Sequence, residues 1–468
     1  MYSDLEKSQL QISLISNIIK RIVREMTLVT NYNLIKIEIP HKERERLESL
    51  IRLYKKLTLK NNVNATSGKL STETEFGLCN FFYNIQNYDN ALEHIDNIIK
   101  LQPNNTKVIY CKAIIQELLG RLEQSIASCE RTLCIDPYNA NTLHKKGILL
   151  SELTRREEAI ECFDKILSMN PKYEPALYNK GLVLLELTRR EEAIECFDKI
   201  LSMNPTHELS WNNKGMALSE INPQKAIDCF NRVIGINQSN IPALYNKGLM
   251  CESLEHFDDA IMCYDAVLRL NANHLPSLFH RGIILTKVGL SDLAMISFDS
   301  VLDINPNHML SLYHKGILLS ELTRREEAIE CFDKILSMNP THIPALYNKG
   351  IALESLDLFE DALLCYDKII EHDINYGNTL CQKGRLLSSI GRYNDAIECF
   401  DKILLFNPIN TNAIYYKSCA MLKDGRKEES FNLLEFMISV DSRYKEVLRD
   451  EKDLDGFRID KRFMRLVN

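Results

Sequence analysis

Apolar residues recur at helical spacing along most of this 468-residue chain, in paired blocks separated by short polar breaks. In residues 174–207, one apolar block is followed by the charged break 188–192 and then by a second apolar block. Each block spans about three helical turns, the usual length of a helix in a globular protein. Asn204-Pro205 closes the second block, because proline cannot continue a helix and disfavours helical backbone before it. The pattern therefore predicts a helix–turn–helix hairpin.

This hairpin is repeated along the chain with a period of 34 residues, shortened to 33 between Gly215 and Gly248. The stretch 147–171 recurs unchanged at 316–340, and a third copy at 181–205 differs at only three positions. Most copies carry a glycine, a small residue twelve positions later and an aromatic residue four positions after that. Such self-similarity indicates a repeat architecture. The glycines are Gly147, Gly181, Gly215, Gly248, Gly282, Gly316, Gly350 and Gly384.

The period and the order of small, aromatic and proline positions resemble the tetratricopeptide repeat (TPR) family. The resemblance covers residues 72–444 as eleven units, and the first, second and last units depart from it with Cys79, Ala113 and Ser418 at the glycine position. It implies an all-α fold, an α-solenoid in which stacked helix–turn–helix hairpins form a right-handed superhelix. One hairpin cannot bury its apolar face alone, so stability comes from stacking and the ends need caps.

Three parts are expected along the chain: residues 1–71 as a mainly helical basic segment with a linker, residues 72–444 as the repeat array, and residues 445–468 as a capping or solvating helix. The unequal charge supports the division, because residues 1–69 carry 13 Lys/Arg against 7 Asp/Glu while the whole chain has a net charge of −7.

The N-terminal part contains two amphipathic patterns, at 4–26 and 42–60, which predict helices. Residues 34–40 alternate like a short strand, and residues 61–69 have the Asn, Ser and Gly content of a linker. A cap for the first hairpin is favoured as the role of this part, and a small interaction or dimerisation element is the alternative.

The sequence points to no catalytic or cofactor chemistry. It contains no phosphate-binding, dinucleotide-binding, zinc-protease or nucleophile-elbow motif, so neither an enzyme, a cofactor nor a metal is expected. Seven of the 14 cysteines occupy one repeat position, with no C-x-x-C pair, and are interpreted as small core residues. The chain has no long apolar run for a membrane helix and no signal-peptide pattern, so the cytoplasm is the expected location.

Candidate binding residues lie at the fifth and sixth positions of the repeat, which share one face of the first helix. The TPR resemblance implies that this face lines a concave groove, in which a ladder of asparagine amides bonds the backbone of an extended peptide. An amide both donates and accepts, so it can contact any sequence. The candidates are Tyr178, Asn179, Asn213, Tyr245, Asn246, His280, Tyr313, His314, Tyr347 and Asn348.

Lysine recurs just before the repeat glycine, as in Lys180 and Lys349, and is expected to cover apolar surface with its stem while its ammonium reaches water. His280 and His314 lie one repeat apart, too far for a shared metal ion.

The sequence therefore predicts a non-catalytic scaffold or adaptor whose partners are other proteins or extended peptide segments. Two alternatives stay open: a regulatory protein whose basic N-terminal segment binds nucleic acid or an anionic surface, and the targeting subunit of an enzyme complex. Nucleic acid is the less favoured partner, because a solvated helix surface accounts for the basic charge. The sequence leaves the oligomeric state open.

Overall fold

The computed structural model describes residues 4–26, 41–60, 70–372, 377–450, 454 and 460–467. Within these ranges, every secondary-structure element longer than one residue is an α-helix, and consecutive helices pair as hairpins. The predicted all-α solenoid is therefore confirmed. The strand-like stretch 34–40 and the linker 61–69 lie outside the described residues, and the three-part division of the chain stays a prediction.

The chain divides into two compact bodies, residues 1–243 and 244–468, with the boundary inside helix α13. The helices that begin in the first body are α1 (Asp4–Met26), α2 (His41–Lys60), α3 (Thr72–Asn84), α4 (Tyr88–Leu101), α5 (Thr106–Leu118), α6 (Leu122–Ile135), α7 (Ala140–Glu152), α8 (Arg156–Met169), α9 (Glu174–Glu186), α10 (Arg190–Met203), α11 (Glu208–Leu218), α12 (Pro223–Ile236) and α13 (Ile241–Ser253).

The helices of the second body that follow are α14 (Phe257–Leu270), α15 (Leu275–Lys287), α16 (Ser291–Ile304), α17 (Met309–Glu321), α18 (Arg325–Met338), α19 (Ile343–Glu354), α20 (Phe359–His372), α21 (Gly377–Ser389), α22 (Tyr393–Phe406), α23 (Thr411–Lys423), α24 (Lys427–Val440), α25 (Tyr444–Asp450) and α26 (Lys461–Val467). From α3 to α24 these helices form eleven hairpins of a first and a second helix.

The first and second helices of a hairpin approach closely because glycine faces an aromatic ring. A Cβ added to Gly181 in α9 would lie 2.7 Å from Cε1 of Phe197 in α10, and Gly147, Gly316 and Gly384 meet their own rings in the same way. Phe197 is completely buried. The repeated glycine therefore makes room for the ring that fills the hairpin.

The two ends of the chain cover the outermost hairpins with apolar side chains. Ile19 of α1 and Ile51 of α2 belong to the same core cluster as Phe76 of α3. In the second body, Phe463 of α26 joins the cluster that contains Phe431 of α24. Both ends thus bury apolar faces that a terminal repeat would otherwise expose.

Cysteines at the repeated position lie in the core, as predicted. Cys162, Cys196 and Cys229 are buried, and none of the described cysteines forms a disulfide. Burial raises the pKa of Cys229 to about 11, although the charge of Lys214 opposes the shift. A thiol with so high a pKa is a poor nucleophile near neutral pH.

In every hairpin except the shortened one of α11 and α12, the turn holds one residue in left-handed backbone conformation. Thr154, Thr188 and Thr323 have φ angles of 60°, 58° and 62°. Glycine occupies the same place in other hairpins, for example Gly289 with φ 80° and Gly391 with φ 84°. A β-branched residue is strained there, because its Cβ crowds the backbone.

Replacing Thr188 by glycine is therefore expected to stabilise the hairpin by about 0.5–1 kcal/mol. Relief of left-handed strain, about 1–2 kcal/mol, exceeds the extra entropy that glycine loses on folding. Urea unfolding followed by circular dichroism measures the change. The reciprocal variant Gly391→Thr should destabilise, and a lower urea midpoint for Thr188→Gly would contradict the strain argument.

Candidate functional site

The ten predicted binding residues lie on the first helices of consecutive hairpins, and all of them are half-buried. We call the fifth and sixth positions of these helices the first-helix face. Tyr178, Asn179 and Asn213 belong to the first body. The other seven residues, from Tyr245 to Asn348, belong to the second.

In the first body, asparagines of this face bond to the preceding hairpin. Asn213 Nδ2 donates to the hydroxyl of Tyr178 at 3.0 Å. Asn179 Nδ2 lies 2.8 Å from Nε2 of His144 and 3.0 Å from the carbonyl oxygen of Pro175, and it donates to both. These bonds link the first helices α7, α9 and α11 in a row.

The second body repeats the arrangement around Asn348. Its Nδ2 donates to the hydroxyl of Tyr313 at 3.2 Å and to the carbonyl oxygen of Pro344 at 2.9 Å. Tyr347, the neighbour of Asn348, packs its ring 6.2 Å from that of Tyr366. Burial raises the pKa of Tyr245, with the nearby Glu252 charge adding to the shift, so this hydroxyl stays protonated.

The asparagine amides of the first-helix face thus already form hydrogen bonds within the array. Asn179 and Asn348 each have both amide hydrogens directed to partners in the array, while among the described residues their Oδ1 atoms accept no hydrogen bond. The sequence suggested amides that both donate and accept towards a ligand. The geometry leaves mainly the amide oxygens available, together with the hydroxyl hydrogens of Tyr178 and Tyr313.

His280 replaces asparagine at the sixth position of α15 and bonds to an acid. Its Nδ1 lies 3.0 Å from Oε2 of Glu252 in α13. The same Oε2 accepts a 3.0 Å hydrogen bond from the hydroxyl of Tyr264 in α14. Burial alone would raise the pKa of Glu252, but the bonds from His280 and Tyr264 outweigh it and lower that pKa. One carboxylate therefore joins three helices.

Glu354 of α19 likewise joins three helices in a later hairpin. It accepts from the hydroxyl of Tyr366 at 3.1 Å and from Nε2 of Gln382 at 2.9 Å. Glutamate stands at this place, twelve residues before the ring, in both hairpins whose ring is tyrosine. Hairpins with phenylalanine rings have other residues there, such as Ser151 before Phe163 and Leu185 before Phe197. The coincidence of glutamate with a tyrosine twelve residues later is visible in the sequence, but the sequence analysis missed it.

His314 occupies an aromatic setting without an acid. Its ring stacks at 6.2 Å on Phe298 and lies 5.7 Å from both Phe279 and Tyr313. Burial lowers the pKa of His314, so the neutral ring predominates at neutral pH. The structure brings no group of three or more metal-binding side chains together among the residues it describes.

Four further histidines begin first helices, a role that sequence reasoning missed. Nδ1 of His207, His274, His308 and His342 accepts a hydrogen bond from the backbone N–H three residues later, at 3.1–3.3 Å. Asparagine side chains do the same at Asn139 and Asn410. A histidine can cap in this way only while Nδ1 is unprotonated.

These caps predict acid sensitivity. Burial lowers the pKa of His274 and His308 below the ordinary value of 6.5. The unfolded chain therefore binds more protons, so the stability contributed by the caps is present above pH 6.5 and is lost as pH falls towards the folded-state pKa. The melting temperature should fall between pH 7.5 and 5.5, and it should fall less in the double variant His274→Asn/His308→Asn. An equal fall in both proteins would contradict the prediction.

The repeated lysine has a different environment from the predicted one. Instead of reaching only water, its ammonium pairs with an aspartate sixteen residues earlier: Lys180 with Asp164, Lys214 with Asp198 and Lys349 with Asp333, each at 2.5 Å. The lysine side chains are about one-fifth exposed and the aspartates about half exposed. The sequence could have indicated these pairs, because the lysine and the aspartate both recur in the repeats, sixteen residues apart.

None of the described helices combines the length and the apolar character that a membrane crossing requires. Within the array, the repeated features are core contacts, caps and inter-hairpin bonds, and the first-helix face as a binding surface stays a prediction.

Comparison with family models identifies the repeat. Residues 174–207, 241–274, 311–342 and 377–410 match the tetratricopeptide repeat, and residues 82–179 match the N-terminal TPR repeats region of Psidin. No curated protein matches the chain significantly.

Several solved structures are similar to parts of the chain. YrrB, described as a TPR protein with an unusual peptide-binding site, is 25% identical over 41% of this chain and 98% of its own, with a TM-score of 0.36. The C-terminal part of a TPR repeat-containing protein from Cytophaga hutchinsonii is 18% identical over 51% of this chain and 98% of its own, with a TM-score of 0.47. A tetratricopeptide repeat protein from Parabacteroides merdae is 19% identical over 53% of this chain and 98% of its own, with a TM-score of 0.41.

The matches to single repeats fall on observed helix hairpins that carry the glycine–aromatic contact at the 34-residue period. Arrays of this repeat generally form protein–protein interaction scaffolds and are typically non-catalytic. The chain is a tetratricopeptide repeat protein.

Proposed function

We propose that this protein is a non-catalytic scaffold or adaptor whose first-helix face binds extended peptide segments of partner proteins. The observation that carries the proposal is the recurrence of half-buried asparagine oxygens and tyrosine hydroxyls at intervals of one repeat. Asn179 and Tyr178 provide such a pair in the first body, and Asn348 and Tyr313 in the second.

An extended peptide matches this pattern of acceptors and donors. Its backbone N–H groups can donate to the asparagine Oδ1 atoms, and its carbonyl oxygens can accept from tyrosine hydroxyls such as that of Tyr178. Contacts to the backbone hold many sequences, and contacts of the peptide side chains with the aromatic rings then discriminate among them.

Internal bonds favour binding because they fix the amides beforehand. Asn348 is held by Tyr313 and by the carbonyl oxygen of Pro344, so its oxygen has one direction before any ligand arrives. A group that is already ordered loses less conformational entropy when it binds. The same bonds predict a fixed register of one contact per repeat.

Acidic side chains near the face favour a basic or polar peptide. Ser219 and Glu220, and likewise Ser320 and Glu321, follow the binding positions by about two helical turns. Glu220 is 70% exposed although it pairs with Arg190 at 2.6 Å. Charge of this kind acts mainly on the association rate and on the choice of partner.

Peptide selection from a displayed random library on the full-length protein tests the proposal. Binding of a selected peptide is then measured by calorimetry for the wild type and for a variant with Asn179, Asn213, Asn246 and Asn348 changed to alanine. We expect at least about a tenfold weaker affinity, since each lost hydrogen bond contributes about 1 kcal/mol.

The matched control changes four exposed glutamates of second helices to alanine: Glu161, Glu195, Glu330 and Glu398. This variant should bind the peptide as the wild type does. Equal binding by the asparagine variant, with its helical content retained, would show that the first-helix face is not the peptide site.

A further inference from the structure

A cavity of 270 Å³ lies where the N-terminal helices meet the first hairpin. Its walls come from α1, α2, α3 and α4, and Leu70 completes them. The apolar part of the lining is Ile19, Ile51, Tyr54, Leu70 and Leu78. An engineered apolar cavity of about 150 Å³ accommodates benzene, so this one has room for a larger organic molecule. The cavity lies entirely within the first body, on a different part of the array from the proposed peptide site.

The cavity wall also contains a buried carboxylate. The Glu75 side chain is 11% exposed, and its Oε2 lies 2.7 Å from Nδ1 of His94. Among the described residues, His94 is the only ion-pair partner of Glu75. Nearer the surface, Lys55 is already paired with Glu93, at 2.6 Å, and both residues also line the cavity.

His94 holds one oxygen of Glu75 and is itself buried. Its side chain is 4% exposed, and its buried Nε2 has no hydrogen-bond partner among the described residues. The ring lies parallel to Phe82, with centroids 5.4 Å apart. The imidazole contacts only Oε2 of Glu75, and among the described residues Oε1 of this carboxylate has no hydrogen-bond partner.

We propose that this cavity binds a small organic cation, a primary amine with an apolar body. The ammonium pairs with Glu75, and the apolar body packs against Ile19, Ile51 and Leu78. A buried carboxylate is stable when it is paired and hydrogen-bonded, and an amine supplies a cationic donor for Oε1 of Glu75 together with apolar area that fills the cavity. Because its walls come from both the N-terminal helices and the first hairpin, the bound amine joins these two parts.

Calorimetric titration of the full-length protein with 2-phenylethylamine and with 2-phenylethanol tests the proposal. The two probes share size and apolar body and differ in charge. The amine should bind one site at least about tenfold more tightly than the alcohol, because only the amine forms an ion pair with Glu75. Equal binding of the two probes would mean that the cavity is an apolar pocket without preference for a cation. Binding of neither probe would mean that the cavity holds only water. Either result overturns the proposal.

Glu75→Gln removes the charge while its amide oxygen still accepts from His94. This variant should lose about tenfold or more in amine affinity and keep its affinity for the alcohol. The matched control is Glu174→Gln, which changes a half-buried glutamate, with a side chain 42% exposed, that also pairs with a histidine, His207, at 3.3 Å. Undiminished amine binding by Glu75→Gln, or an equal loss in Glu174→Gln, would refute the assignment to Glu75.

Methyl resonances locate the bound amine without any variant that affects folding. In the wild-type protein labelled at isoleucine methyls, 2-phenylethylamine should shift the signals of Ile19 and Ile51. Ile200, which is completely buried in α10 of the same body, provides the reference and should not shift. Shifts elsewhere with Ile19 and Ile51 unchanged would place the amine outside this cavity.

Discussion

Gly181→Ala is expected to destabilise the array by about 2 kcal/mol. The added Cβ would lie 2.7 Å from Cε1 and 2.8 Å from Cζ of Phe197, closer than carbon atoms tolerate. Phe197 is completely buried, so its ring cannot move aside and the two helices must separate. Overpacking of this kind costs about 1–3 kcal/mol and exceeds the gain in helix propensity from alanine. Urea unfolding and hydrogen exchange of α9 and α10 measure the loss.

Gly235→Ala is the matched control. Gly235 lies near the end of α12, and an added Cβ would have no atom within 4 Å. This change should leave stability unaltered or raise it by about 0.5–1 kcal/mol, because alanine is the better helix former. A loss at Gly235 as large as that at Gly181 would attribute the effect to helix propensity and not to the ring contact.

Natural variation within the chain supports a second test of the same contact. Where the glycine position has a Cβ, the residue sixteen positions later is not aromatic: Cys79 precedes Ile95, Ala113 precedes Cys129 and Ser418 precedes Leu434. Phe197→Leu should therefore relieve part of the Gly181→Ala clash, with a coupling of about 0.5–3 kcal/mol in a double-mutant cycle. If the stability losses of Gly181→Ala and Phe197→Leu simply added, residue 181 and the ring of Phe197 would not interact as described.

Much of the fold could be predicted from the sequence because each hairpin repeats the same local rules. The period indicated the number of hairpins, and Asn204-Pro205 indicated the end of a second helix, since α10 ends at Met203. The contact between the N-terminal helices and α3 was harder to predict. It depends on which apolar faces meet across a long separation in sequence, and periodicity does not specify that.

The candidate site was only partly predictable for a related reason. Position in the repeat placed Asn179, Asn213 and Asn348 on one face, but it did not indicate that their amide hydrogens bond to His144, Tyr178 and Tyr313. Those partners lie 35 residues away, beyond one repeat, and whether two side chains bond depends on their rotamers. The lysine–aspartate pairs were missed because each residue was interpreted without its neighbour in the adjacent repeat.

Glu252→Ala is expected to destabilise the second body by about 2–3 kcal/mol. It removes the acceptor of both Tyr264 and His280, and hydrogen bonds to a charged group contribute about 1.5–3 kcal/mol each, offset in part by the removed carboxylate's own desolvation. Tyr264 is completely buried, so its hydroxyl would be left without a partner. Chemical denaturation and hydrogen exchange of α13, α14 and α15 measure the loss.

The comparison variant for this network is Glu321→Ala, which changes an exposed glutamate of α17 and should alter stability by less than about 0.5 kcal/mol.

Adding Tyr264→Phe to Glu252→Ala should restore about 1 kcal/mol, because it removes the hydroxyl that lost its acceptor. The hairpins built on Phe163 and Phe197 already have this combination, a phenylalanine ring with no glutamate twelve residues before it. If Tyr264→Phe adds to the loss instead, the hydroxyl must find another partner, and the tyrosine would not depend on Glu252. Restoration would show that the copied repeat tolerates a polar ring only where the first helix supplies its acceptor.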